Sequence, residues 1–131
     1  MNEDYISLKV GGNKFGAPLF TMTLGTWVLN GMVTGTGTIT HGIYPTAKIF
    51  TFLSGRLTEI GSGLDVETTI KLTGHVFQGI TPPNPVNVKD VLIQYTAGRG
   101  TARYAFRHPN GTWETITNAL VEVVEPVLQV Y

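Results

Sequence analysis

Arg99, Arg103 and Arg107 recur every four residues, so on a strand all three point to one side and form a basic stripe. A guanidinium fork grips a carboxylate, phosphate or sulfate through paired hydrogen bonds, and the neighbouring Tyr104 and Phe106 offer rings that could stack on a ligand. The plainer account pairs these arginines across an exposed strand with Glu114 or Glu122. The aromatics do not follow the alternating basic and glycine pattern of an RNA-recognition strand, so the stripe does not point to RNA.

His41, His75 and His108 are the only side chains whose ordinary titration falls near neutrality. None has a second histidine or a carboxylate at the spacing of a zinc or iron motif, so neither a metal site nor a cofactor is expected. His41 and His108 fall in turn segments and read as solvated, while His75 shares a strand face with Glu67 and Lys71. Asp65 and Glu67 lie two apart on one strand face and could pair for acid-base work. Such a dyad needs burial to split its pKa values, and acidic residues at a strand entry are ordinarily solvated.

Ser7, Ser54 and Ser62 lack a nucleophile elbow, because Gly61-Ser62-Gly63 is a tight turn without the G-x-S-x-G frame or a following helix. Gly11-Gly12-Asn13-Lys14 and Thr34-Gly35-Thr36-Gly37 lack the spacing of a phosphate loop and precede no helix. No catalytic set is singled out.

The elements that must position these groups read as strands. Val33 to Thr40 alternates threonine with small or apolar residues, which is the two-residue period of a strand. The same period recurs in Tyr5 to Val10, Leu19 to Leu24 continuing towards Trp27, Ala47 to Thr58, Val66 to Phe77, Val86 to Thr96, Thr101 to Arg107 and Thr112 to Val124. Glycine, proline and asparagine punctuate them. Asn30-Gly31 and His108-Pro109-Asn110-Gly111 are hairpin signals, Gly98-Arg99-Gly100 reads as a turn, and Thr81-Pro82-Pro83-Asn84-Pro85 reads as the longest loop.

The last segment is ambiguous, because Asn118 could cap a short helix from Ala119 to Glu125, whereas its valines favour a strand. Ala47 to Thr58 and Val86 to Thr96 are apolar on both faces. The fold expected is all-β, an antiparallel meander of about eight strands closed as an up-and-down β-barrel, with a β-sandwich as the alternative. Residues 1–131 form one domain, with 126–131 as a C-terminal arm.

Nine basic and nine acidic residues cancel, and only 14% of the chain is charged, against roughly a quarter in an average soluble domain. So sparse a charge predicts association of copies into a homo-oligomer. The zero balance removes the electrostatic footprint of nucleic-acid or anionic-membrane binding. There is no cysteine, so packing alone must hold the fold. Neither a signal peptide nor an apolar run long enough for a membrane helix is visible, which makes the cytoplasm the default location.

Gly25-Thr26-Trp27 and Thr34-Gly35-Thr36-Gly37 resemble the opening hairpin of avidin-like barrels, over about fifteen residues. The resemblance implies that family's strand plan. It does not carry over biotin binding, since Trp113 is the only other tryptophan and the later site tryptophans have no counterpart. The chain as a whole also resembles small bacterial β-rich families with no assigned function.

Three functions follow as expectations. The first is a non-enzymatic barrel that holds a small apolar or amphipathic ligand, with Trp27, Tyr95, Tyr104 and Trp113 as wall or mouth residues and Arg103 orienting an anionic group. The second is a pocket-templated isomerase or cyclase assisted by His75, Glu67 or Tyr95. The third is a carbohydrate-binding or protein-interaction module that works through its surface.

Overall fold

A computed structural model describes residues 3–12, 16–27, 30–40, 48–76 and 85–124, without the side chains of Glu3, Asp4, Trp27 and Leu64. His41, most of the proline loop, Phe77 and the 126–131 arm lie outside the described residues. The strands are β1 (Glu3–Gly11), β2 (Leu19–Trp27), β3 (Met32–Thr40), β4 (Lys48–Ile60), β5 (Glu67–His75), β6 (Val86–Thr96), β7 (Arg99–Arg107) and β8 (Trp113–Val124). Each pairs antiparallel with its sequence neighbour, and β1 closes on β8 through Ser7–Val124 to Val10–Val121, so the sheet is a closed barrel.

Closure removes the unpaired strand edges that a chain with so little charge could not otherwise protect. The strand alternation decides what the barrel encloses. Leu8, Val10, Phe20, Leu24, Val33, Ile39, Leu53, Ile70, Val88, Ile93, Tyr104 and Phe106 are buried in one core. Glycines interleave with them across the ladder: Gly35 pairs with Leu24, Gly37 with Met22, Gly55 with Leu72 and Gly74 with Leu53. Small residues facing large ones let eight strands fill the interior with side chains.

Outward positions include Thr34, Thr36, Lys71 and Arg103 together with the exposed Phe50, Phe52, Trp113 and Leu120. Among the described residues no helix is long and apolar enough to cross a membrane.

Two sequence expectations change, and one ambiguity is resolved: β8 continues as a strand through Val124, the reading its valines favour, so no helix follows Asn118. Asn118 instead takes a left-handed backbone, φ 55°, which its short polar side chain tolerates, and this produces a β-bulge rather than a helix cap. The β6–β7 turn is Ala97-Gly98, both at positive φ, and Arg99 already pairs with Thr96 in the ladder. Asp65 lies in a short 3-10 turn (Gly63–Asp65) before β5, so it shares no strand face with Glu67.

Candidate ligand site at the barrel mouth

The inward positions of β7 build upward from the core to one end of the barrel. Tyr104 packs edge-on against Phe20 with ring centroids 5.0 Å apart, and Phe106 follows at 6.0 Å. His108, the first residue of the β7–β8 turn, lies over Phe106 at 4.8 Å. Alternation puts 104 and 106 on one face, and the turn then bends His108 over the same column.

The turn itself is built by Asn110 and Gly111. The Asn110 side-chain oxygen accepts from the Thr112 amide at 3.0 Å and from its hydroxyl at 2.6 Å. Gly111 at φ 92° allows its amide to reach the His108 carbonyl at 2.9 Å, and the His108 amide donates to the Thr112 carbonyl at 2.8 Å. This five-residue connection brings His108 Nε2 to 2.7 Å from Glu114 Oε1. The pair is partly buried, and the carboxylate fixes the ring's orientation. Glu114 faces inward, so it meets His108 and not the arginines on the outer face of β7.

A second polar pair, between β4 and β6, lies at the same end of the barrel. Val86 pairs with His75 and Val88 with Gly74, which leaves Asn87 as an extra residue on β6. Gly74 has no side chain to obstruct it, so Thr51 Oγ1 donates to Asn87 Oδ1 at 2.7 Å and Asn87 Nδ2 donates to the Phe50 carbonyl at 2.8 Å. That carbonyl lies beyond the last β4–β5 pair, Phe52 with His75, so the amide satisfies a strand-end acceptor.

Between these pairs is a concavity of about 540 Å³. Ile49, Phe50, Val76, Pro85, Val86 and Pro109 form its apolar wall, and Lys48, Arg107 and His108 bring nitrogen donors to its rim. No carboxylate is part of the described lining. Chemically, the dyad can hold or pass a proton and the two cations can neutralise an anionic group.

Of the five residues singled out from the sequence, the four with described side chains, Tyr95, Arg103, Tyr104 and Trp113, do not converge. Tyr104 is 1% exposed inside the barrel, and its hydroxyl has no hydrogen-bond partner among the described residues. Arg103, its neighbour, points outward, because successive strand residues face opposite sides. Tyr95 is inside but towards the other end, where it pairs with Thr68 and shares a side-chain hydrogen bond with it. Burial raises the Tyr95 phenol above its ordinary pKa; the Thr68 bond opposes that shift, and Glu59 adds to it.

Trp113 is on the outer surface with the Lys89 ammonium 4.2 Å from its ring centroid, a cation–π contact. Trp27 ends β2 opposite Met32, and its side chain lies outside the described residues. His75 and Glu67 stand at opposite ends of β5, about 27 Å apart along a strand of that length, so they do not form a site with Tyr95.

The His108–Glu114 pair escaped the sequence reading because it spans a turn whose register was unknown. The hairpin signal at Asn110-Gly111 was the one clue that residues 108 and 114 would face each other. Among the described residues no three histidine or carboxylate side chains gather as a metal ion requires. No protein-family model and no curated protein matches the sequence, so the functional reading rests on the mouth's own residues.

Proposed function

We propose that the protein is a non-enzymatic binder of small amphipathic anions, taking an apolar molecule with a carboxylate or similar group at the barrel mouth. The observation that carries this reading is the pairing of an apolar wall with the Lys48 and Arg107 rim and no acid among the described lining. The apolar part of such a ligand lies against Ile49, Val76 and Val86, and its charged head meets the cations. The deeper interior is occupied by Tyr104, Phe20 and Phe106, so the mouth is the better place for a ligand than the centre. Calorimetric titration with a medium-chain carboxylate and with the alcohol of equal length tests the reading. The carboxylate is expected to bind about tenfold more tightly, and a Lys48→Glu/Arg107→Glu double variant is expected to erase that preference. Equal affinity for acid and alcohol in the unmodified protein overturns it.

We also propose that copies of the chain associate through the outer face of β1–β4. Its rows run Ser7–Thr23–Thr36–Phe52 and Thr21–Thr38–Phe50, with Phe50 68% and Phe52 49% exposed. The second row starts at Lys9, which pairs with Thr21, so the uncharged part of this face is its centre at Thr23, Thr36, Thr38, Phe50 and Phe52. Two copies meet there without like-charge conflict. Size-exclusion chromatography with light scattering is expected to give a multiple of 14.2 kDa for the unmodified protein and the single mass for Phe52→Asp. A single mass for both defeats the proposal.

A further inference from the structure

A second concavity lies on the outside of the barrel, away from the mouth, and it exists because two strands carry an extra residue. Lys89 pairs with Ala105 and Leu92 with Arg103, which leaves Asp90 and Val91 opposite Tyr104 alone. On the other side of β7, Ala119 pairs with Ala102 and Ile116 with Tyr104, which leaves Thr117 and Asn118 opposite Arg103. Each bulge holds a residue other than glycine in the left-handed region, Asp90 at φ 54° and Asn118 at φ 55°. Asp and Asn adopt this backbone more readily than other side-chain-bearing residues, and a bulge built on it bends the strand and re-aims the side chain beside it.

Two bulges flanking one arginine turn a normally convex barrel wall into a groove of about 730 Å³, continued by a smaller depression past Asn118. The volume falls within the roughly 300–1,000 Å³ typical of small-ligand clefts.

We propose that this groove binds an acidic saccharide, with Arg103 and Lys71 taking the sugar carboxylate. Arg103 supplies the planar fork that matches a carboxylate, and Lys71 adds a second positive charge to the lining. The Asp90 carboxylate and the Asn118 amide are planar acceptors and donors suited to neighbouring sugar hydroxyls. Thr73, Thr115 and Thr117 extend the hydroxyl-bearing floor. With two cations and one acid the lining is only weakly positive, which suits one carboxylate per sugar better than a string of phosphates.

The site shares no lining residue with the mouth, so its test is independent of the anion-binding reading. The full chain is titrated calorimetrically with a short oligogalacturonate and with the neutral galactose oligomer of the same length. The acidic oligomer is expected to bind about tenfold or more tightly than the neutral one. Arg103→Gln, at an exposed position, is expected to remove that preference while leaving thermal unfolding unchanged, and the Lys48→Glu/Arg107→Glu variant is expected to bind the oligogalacturonate as the unmodified protein does. Absence of binding, equal affinity for the two oligomers, or full retention of the preference in Arg103→Gln overturns the proposal.

Discussion

Gly55→Ala is expected to destabilise the protein by about 3 kcal/mol and to lower its melting temperature by about 10 °C. Gly55 faces inward on β4, between Val33 on β3 and Leu72 on β5. A β-carbon built there collides with the backbone carbonyl oxygen of Lys71, and it also comes within 2.9 Å of the Leu72 α-carbon. Both obstacles are main chain in the adjacent strand, so no rotamer change relieves them. The two strands must separate, which strains the β4–β5 ladder at the point where the barrel wall bends.

Gly63→Ala is the useful contrast. Its φ of +65° is unfavourable for alanine, yet no atom lies within 4 Å of the added carbon. That change is expected to cost about 1 kcal/mol, from backbone preference alone. Thermal unfolding followed by circular dichroism distinguishes the two. Equal losses at both positions mean that close strand approach at Gly55 does not shape the barrel.

Tyr104 carries the second large effect, and its two truncations should move stability in opposite directions. Tyr104→Ala removes a fully buried ring from between Phe20 and Phe106 and is expected to cost about 3–5 kcal/mol. Tyr104→Phe keeps the ring and deletes a buried hydroxyl that has no partner among the described residues, so it is expected to stabilise the fold by about 1 kcal/mol. A pH series adds a second readout. Burial first, and the Glu114 charge second, hold the Tyr104 phenol well above its ordinary pKa of 10.0.

As pH rises past that value the unfolded chain loses the phenolic proton before the folded one does, so the unfolded state binds fewer protons and stability falls. The contribution is whole below about pH 10 and is lost as pH climbs towards the folded value. Urea unfolding across this range should show a shallower alkaline loss in Tyr104→Phe, while Tyr95 keeps its own smaller component in both proteins. An identical alkaline slope in the two proteins contradicts the buried, neutral phenol.

The strand order and the two-sidedness of each strand were legible in the chain because a strand has a period of two, whereas which side turns inward was set by closure of the barrel. Val86 to Thr96 and the outward arginines 99, 103 and 107 stand where alternation put them. Apolar residues on both faces of β4 resolved into Leu53 and Leu57 turned inward and Phe50 and Phe52 turned outward. What alternation cannot supply is register across a turn or the place where alternation breaks. Asn118 carried the same local signal for a helix cap and for a left-handed bulge, and only pairing with β7 selected the bulge.

Likewise Arg103 and Tyr104 are adjacent in sequence but lie on opposite sides of the wall, whereas His108 and Glu114 meet at 2.7 Å because five turn residues set the hairpin's register. The sequence by itself determined an all-β chain with an apolar lining. The tertiary structure decided that the lining fills the centre, that the mouth gathers cations beside a dyad, and that two bulges hollow the wall at Arg103. Those outcomes depend on inter-strand distances that no single strand encodes.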